Sequence, residues 1–338
     1  HEVTVFVRPN YTENPPDEYR GMRVQSVRTV GTKHLDAIVH SGASTLRAAG
    51  RYDIVHYHAQ GPGVPAVIPR YLSRSKVIQT IHGLDSQRSK WGGAAQKMLS
   101  VAEWMSARVP DGTIVVSQAL ADHYRTEYDR DTWVIPNGVI PPTKKPPHEI
   151  TKQFDLVGGD YVLFVGRFVP EKAPDLLMEA FRDVDTDARL VLAGGSSFTD
   201  DFVDRLNLLG SRDPRVIMPG YVYGDLLDEL YTNAAVFVLP SSLEGLPLTL
   251  LEAASYDTPL IASDIPPHAE IITNPGPGHR LFPSGDRGAL TSAIGQALQN
   301  HELEAPLAQD FGRIVREQFT WDGATEATER VYESVLGR

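Results

Sequence analysis

Two glutamates separated by seven residues, Glu244 and Glu252, are the first feature of this sequence able to do chemistry. They lie in the run Ser242-Leu-Glu-Gly-Leu-Pro-Leu-Thr-Leu-Leu-Glu-Ala253. Pro247 suits the first turn of a helix, where its missing N–H costs nothing. Glu244 then stands before the helix, and Glu252 more than a turn inside it, flanked by Leu250, Leu251, Ala253 and Ala254. A carboxylate in apolar company is expensive unless paired. A ribose diol offers two O–H donors that an acceptor-only group would satisfy. The competing reading of Glu252 is a surface glutamate, which its apolar flanks disfavour.

Two cations form the second constellation. After Val165 comes Gly166-Arg167-Phe-Val-Pro-Glu171-Lys172-Ala-Pro174. A glycine at a strand end lets backbone approach a ligand closely. Arg167 and Lys172 on a turn into a helix would add formal charge to the helix dipole and its free N–H groups, a phosphate site. The alternative is a solvated loop with two surface cations. Gly194-Gly195-Ser-Ser follows another apolar run. It resembles a nucleotide-binding glycine turn but falls short of a full G-x-G-x-x-G.

Histidines supply the third. Tyr57-His58-Ala-Gln60-Gly-Pro-Gly63 and Ile81-His82-Gly83-Leu-Asp85 each follow a strand-like run. A lone histidine is more often structural, but His82-Gly83 at a strand end favours chemistry. Asp183, Asp185 and Asp187 make a nominal Asp-x-Asp. They precede a strand, at the amino edge of its sheet, and read as a solvated turn. No other carboxylate or histidine cluster has metal-ligand spacing, so no metal is expected.

These residues need elements to place them. Val- and Ile-rich runs at 3–7, 54–57, 77–81, 113–116 and 133–135 alternate with helical patterns at 36–49, 93–108 and 118–128. Such alternation predicts a parallel sheet covered by helices on both faces. Pro136–Pro147 holds five prolines and a glycine and reads as an interdomain linker. The alternation resumes with strands at 161–165, 189–193, 216–218, 235–239, 260–262 and 280–282. Helices are expected at 173–181, 199–209, 225–233, 247–255 and 286–299, with more helix after 304. The expectation is α/β: two doubly wound, Rossmann-like domains facing across a cleft. Residues 1–138 form the first and 139–320 the second, and a C-terminal helix, 321–338, completes the first. Ligands of such sheets bind beyond the carboxyl ends of the strands, which is where all three constellations fall.

Bulk composition narrows the classes. The 338 residues are 41% hydrophobic, and no stretch approaches a membrane span. The absence of cysteine excludes disulfides, thiolate metal sites and a thiol nucleophile, and fits a reducing compartment. Residues 1–140 carry 16 Lys and Arg against 13 Asp and Glu, and the remainder 16 against 30. The acidic half argues against nucleic acid as a partner. The mildly basic half suits an anionic acceptor or a membrane surface, or is ordinary solvated surface.

Together the motifs resemble the family-4 retaining glycosyltransferases of the GT-B fold, over nearly the whole chain. The most specific element is Glu244-x7-Glu252. Gly166-Arg167 with Glu171-Lys172, Ile135-Pro-Asn-Gly-Val139, Asp53-Ile-Val-His56 and His82-Gly83 match in order and spacing. The second half also resembles bacterial polysaccharide-assembly members. The resemblance implies transfer of a sugar from a nucleotide-diphosphate donor to a carbohydrate or lipid-linked acceptor. Cofactor and metal are not required, and the setting is cytoplasmic, with peripheral attachment to the inner membrane face left open. It implies that Arg167 and Lys172 hold the diphosphate and that Glu252 binds ribose. Glu244 and the backbone from Gly245 through Leu246 to Leu248 contact sugar and phosphate. Tyr221 and Val222, after Gly220, flank the base, beside Gly166 and Gly195, and His82 sits near the transferred sugar. His58, Gln60 and Asp85 are the acceptor-side candidates. Retention is carried by the resemblance alone: the family is thought to react by front-face displacement, so Glu244 orients and does not attack.

One departure stands out. The family begins with a strand, a glycine-rich turn and a helix ahead of a segment like His1–Val5, so the polypeptide is expected to extend upstream of His1. Alternative functions are a GT-B-like nucleotide-sugar epimerase, a sugar-phosphate synthase and a two-domain sugar-binding protein without catalysis. A dinucleotide dehydrogenase fits least, because neither half has a complete fingerprint with its distal acid.

Overall fold

The structure is a computed structural model that describes residues 1–9, 15–29, 36–84, 93–196 and 200–337. The chain divides into two compact units, His1–Ile135 with Glu326–Arg338, and Pro136–Thr325.

In the first unit, β4 (Ile54–His58), β5 (Lys76–Ile81), β6 (Gly112–Val115) and β7 (Trp133–Val134) form a parallel sheet in that order. β6 is buried throughout and β5 from Val77 to Ile81. Burial on both faces explains why these strands read as continuous apolar runs. Helices α1 (Asp36–Ala48), α2 (Val67–Leu72), α3 (Gly93–Arg108) and α4 (Gln118–Tyr128) connect the strands. α4 starts where Ser117, in extended backbone, accepts a hydrogen bond from the Leu120 amide.

A second, three-stranded sheet holds β1 (Thr4–Val7), β2 (Glu18–Tyr19) and β3 (Met22–Ser26) in the order β1-β3-β2. β1 and β3 are parallel, and β2 is antiparallel to β3. The described strands therefore form two sheets where one was expected. The edges of β1 and β4 do not pair. A groove of about 530 Å³ is lined by Thr4 and Phe6 of β1 and Ile54, Val55 and His56 of β4.

The second unit is a single six-stranded parallel sheet. Its strands are β8 (Tyr161–Val165), β9 (Arg189–Ala193), β10 (Val216–Gly220), β11 (Val236–Leu239), β12 (Leu260–Ser263) and β13 (His279–Phe282). Their order is β10-β9-β8-β11-β12-β13. The direction of strand addition reverses between β8 and β11, and in an open α/β sheet the crevice at that reversal is the ligand-binding position. The core is dense here: Tyr161, Phe164, Phe181 and Phe237 are fully buried. Each such aromatic contributes roughly 1.5–3 kcal/mol by leaving water.

Helices α5 (Glu149–Phe154), α6 (Pro174–Arg182), α7 (Asp200–Gly210) and α8 (Asp225–Asn233) accompany the first half of this sheet. α9 (Leu248–Ser255), α10 (Pro266–Ile271), α11 (Arg287–Gln299) and α12 (His301–Gln318) accompany the second. The final helix, α13 (Trp321–Leu336), belongs to the first unit from Glu326 onward, where Val331 is buried. Pro136–Pro147 contains no helix or strand, only a bridge from Val139 to Thr320. Among the described residues, no helix is long and apolar enough to cross a membrane.

Candidate functional site

The carboxyl ends of β8, β9 and β10 are joined by backbone. The Gly166 amide donates to Ala193 O at 3.0 Å, Phe168 to Gly195 O at 2.9 Å and Gly194 to Gly220 O at 2.8 Å. Gly194 sits at φ +148, and a Cβ there would lie 1.8 Å from Gly166 O. No other residue fits that crossing. A Cβ on Gly195 would lie 2.8 Å from the Tyr221 ring, so this small residue leaves the ring its seat. Beyond Gly166 the chain makes a 3-10 turn, Pro170–Lys172, passes through Ala173 at φ +48, and enters α6 at Pro174.

That turn aims Lys172 across the strand reversal. Its Nζ donates to Glu244 Oε1 at 2.5 Å, with side chains only 15% and 8% exposed. The Ser242 amide donates to Glu171 O at 2.9 Å, so backbone and side chain both tie the turn after β8 to the loop after β11. The adjacency of β8 and β11 brings together residues 72 positions apart. Arg167 is exposed and, among the described residues, has no ion-pair partner. The helix α9 starts after Pro247 with no side chain capping it. Its first amides are thus a natural anion seat. Gly245 is buried, Leu246 packs on the core, and Leu248 is partly exposed at the helix start.

Glu252 has the partner that its apolar setting demanded. Its Oε2 accepts from the Tyr231 hydroxyl at 3.0 Å. Burial raises the Glu252 pKa and the tyrosine bond opposes the rise. Burial and the facing carboxylate push the Tyr231 phenol well above its usual value, so it remains a donor. After β10, Tyr221 and Tyr223 are 54% and 75% exposed, while Val222 between them packs on the core. The two rings are nearly parallel, 8° apart in plane with centroids 6.3 Å apart.

Behind the ion pair lies a buried polar group that sequence reasoning missed. His268 on α10 is fully buried, and its Nδ1 is 2.8 Å from Ser263 O. A carbonyl only accepts, so Nδ1 carries the proton and Nε2 is left as an acceptor. Burial depresses the His268 pKa to about 4, with Glu244 pulling the other way. The Nε2 of His268, the Oγ of Ser241 and both carboxylate oxygens of Glu171 are buried without a hydrogen-bond partner. None of the four stands in a pattern that a single sequence reveals. Only the Glu171-Lys172 pair had been marked.

The first unit carries a row of histidines at the ends of β4 and β5. The His56 and His58 rings stack with centroids 4.5 Å apart, and His58 and His82 at 5.4 Å. His58 Nδ1 is 3.1 Å from His82 Nε2. His56 is held on both sides, 2.7 Å from Thr80 Oγ1 and 2.7 Å from the Tyr332 hydroxyl. Burial, then the neighbouring histidines, lowers His56 to about 3 and His58 to about 4, and burial lowers His82. At neutral pH all three are uncharged.

Two acceptor-side candidates fare differently from His58. Gln60 is 0% exposed and its Nε2 donates to the Tyr124 hydroxyl. This corrects its assignment: it stands just before the 3-10 turn Gly61–Ala66 with its side chain enclosed, where an acceptor does not reach it. Asp85 lies outside the described residues. Asp183 pairs with Arg287 ahead of β9, at the amino edge where the aspartate series was placed. Among the described residues, no group of three or more His, Cys, Asp or Glu is arranged to hold a metal.

Comparison with known proteins gives the family and the fold. The family described as "Glycosyl transferases group 1" matches residues 149–318, and "Glycosyltransferase Family 4" matches residues 1–141. The chain belongs to the group 1 glycosyltransferases. It is 25% identical over 368 residues to an uncharacterized glycosyltransferase of Methanocaldococcus jannaschii, covering 99% of this chain and 90% of that one. It is 26% identical over 373 residues to the D-inositol 3-phosphate glycosyltransferase of Acidothermus cellulolyticus, covering 99% and 82%. The sucrose-phosphate synthase of Thermosynechococcus elongatus shares its fold, with a TM-score of 0.82 at 22% identity over 99% and 89% of the two chains. So does Anabaena HepE, solved with UDP-glucose, at 0.79 and 19% over 93% and 86%. The group 1 match spans the second unit from α5 to α12, and therefore every residue of the Lys172–Glu244 constellation.

Proposed function

We propose that this glycosyltransferase moves a hexosyl group, with retained configuration and no metal, from a nucleoside diphosphate sugar to a hydroxyl of a saccharide or lipid-linked acceptor. A lipid-linked acceptor would bring it to a membrane face as a peripheral protein. The observation that carries the reading is the Lys172–Glu244 pair at the β8/β11 reversal, flanked by Arg167 and the uncapped start of α9. Two cations and a helix N-terminus are a sufficient electrostatic seat for a departing diphosphate.

Lys172 has three N–H donors, and Glu244 takes one. The others are available to phosphate oxygens as the glycosidic C–O bond breaks and charge builds on the leaving group. Glu244 is acceptor-only and suits the hydroxyls of the transferred sugar. Glu252, oriented by Tyr231, takes the ribose diol. The tyrosine pair after β10 offers an aromatic surface to the base. In a front-face displacement the leaving phosphate itself takes the acceptor proton, so no carboxylate nucleophile is required. His82 is the first unit's contact to the transferred sugar, as a neutral imidazole. That Anabaena HepE was solved with UDP-glucose supports a nucleotide-sugar donor.

The test is a panel of UDP-, GDP- and ADP-sugars with and without candidate acceptors, in EDTA, following nucleotide release and the anomer of the product by NMR. Acceptor-dependent release with an unchanged anomer is expected. Loss of turnover in EDTA, restored by a divalent cation, overturns metal independence. Binding without transfer to any acceptor favours a sugar-binding protein, and release of a free epimerised sugar favours an epimerase.

A further inference from the structure

We propose that His58 is a positioning residue that fixes which ring nitrogen of His82 carries its proton. The proposal rests on the reading of His82 as the contact to the transferred sugar.

His58 is exposed, but its ring is held from two sides. One ring face is covered by His56, at 4.5 Å between centroids and 20° between planes. The His82 ring lies alongside, at 5.4 Å and 18°. Its Nδ1 is engaged by His82 Nε2 at 3.1 Å. Between two neutral imidazoles one nitrogen must donate and the other accept. When His58 Nδ1 donates, His82 Nε2 is bare and His82 Nδ1 carries the proton. When His58 Nδ1 accepts, the assignment of His82 reverses. The polarity that His82 Nδ1 shows to a sugar hydroxyl is therefore the complement of the His58 tautomer.

His58 in turn rests on a ring that cannot turn. Both nitrogens of His56 are bonded, one to Thr80 on β5 and one to Tyr332 on α13. Burial and Glu329 raise the Tyr332 phenol, so it keeps its proton, and it and the Thr80 hydroxyl hold the two ring nitrogens of His56. The wall against which His58 stacks is thus set by a side chain 276 positions away in sequence. Substrate-binding histidines are commonly held this way, with the hydrogen bond at one nitrogen deciding the state of the other.

Two substitutions separate the hydrogen bond from the stack. His58→Phe keeps an aromatic ring and removes the nitrogen. His58→Asn keeps a polar atom near the Nδ1 position and removes the ring. His58→Phe is expected to lower kcat about 5- to 30-fold with the donor KM changed less than about 2-fold. His58→Asn should stay within about 3-fold of wild type. In proton–nitrogen correlation spectra of histidine-labelled protein, His82 should show one tautomer in wild type and His58→Asn, and a mixture in His58→Phe. A wild-type kcat in His58→Phe, beside an inactive His82→Ala, overturns the proposal and leaves the reading of His82 intact. An active His82→Ala overturns that reading, and the tautomer spectra then still decide the proposal. Equal loss in both His58 variants with a raised acceptor KM means that His58 binds acceptor itself, which also overturns it. Should His58→Phe fail to fold, a mixed His82 tautomer in His58→Asn overturns the proposal.

Discussion

Replacing Lys172 with alanine should separate two roles that one side chain combines. Lys172 is the cation of a nearly buried pair, 2.5 Å from a carboxylate that is 8% exposed. Its loss strands Glu244 in a setting where an unpaired charge is costly, by about 3 kcal/mol. In a unit of this size that lowers Tm by roughly 6–12 °C. On the proposed reading its second role is to stabilise the departing diphosphate, and loss of such a contact costs about 3–4 kcal/mol of transition-state binding, or roughly 100- to 1,000-fold in kcat. The double variant Lys172→Ala/Glu244→Ala removes the stranded charge. It should regain most of the lost Tm while its kcat stays low. Nucleotide release under saturating donor and a thermal unfolding scan on the same preparations measure both. If Lys172→Ala turns over within about 3-fold of wild type, or the double variant recovers activity with stability, the pair is structural and the reasoning fails.

Three further outcomes follow from the same geometry. Glu252→Gln should raise the donor KM roughly 10- to 100-fold with kcat little changed, since a hydrogen bond to a charged acceptor is worth about 1.5–3 kcal/mol. A 2′-deoxyribose donor should narrow that gap, and an equal gap for both donors would remove Glu252 from the ribose. Gly194→Ala should cost about 3 kcal/mol or more, because its Cβ would lie 1.8 Å from Gly166 O. A wild-type Tm with intact nucleotide binding would show that the β8–β9 crossing is not the tight one described. His268 binds its proton in the unfolded chain near 6.5 but in the fold only near 4, so stability is complete above 6.5 and drains as pH falls toward 4. Between pH 7 and pH 5 that is about 2 kcal/mol, a fall in Tm of roughly 4–8 °C beyond that of His268→Gln. Parallel Tm curves for the two proteins would show that His268 is protonated in the fold.

Sequence and structure agree best where burial is two-sided. The strands 161–165 and 189–193 were read at their observed limits, because Tyr161–Val165 and Arg189–Ala193 are apolar runs closed by glycine. β2 and β3 left no signal. β2 has two residues, and Met22–Ser26 alternates without a buried face. α5 and α10 have six residues each, fewer than two turns, too short for a helical period to register. The first unit's division into two sheets was also hidden, because pairing of β1 with β3, and not with β4, is a choice between edges that look alike in sequence.

The candidate site residues divide along the same line. Arg167, Lys172 and Glu244 were legible because each follows a strand, and strand ends are local features. That Lys172 and Glu244 touch was not legible, since it depends on β8 lying beside β11. Glu252 shows how far the local argument reaches. Its apolar flanks demanded a partner, and the partner is Tyr231, on a helix 21 residues upstream that carried no mark of its own. Gln60 shows where the argument breaks: a polar residue after a strand and before glycines looks like a ligand contact, yet it is fully buried and bonded to Tyr124. The pairing also bears on the proposed donor site. With Glu244 on Lys172, Arg167 is a cation after β8 that has no ion-pair partner among the described residues. On the proposed reading, an incoming diphosphate competes with Glu244 for Lys172, and each gain in phosphate contact loosens the carboxylate toward the sugar. Phosphate capture and sugar orientation are then one event, coupled through a single ion pair.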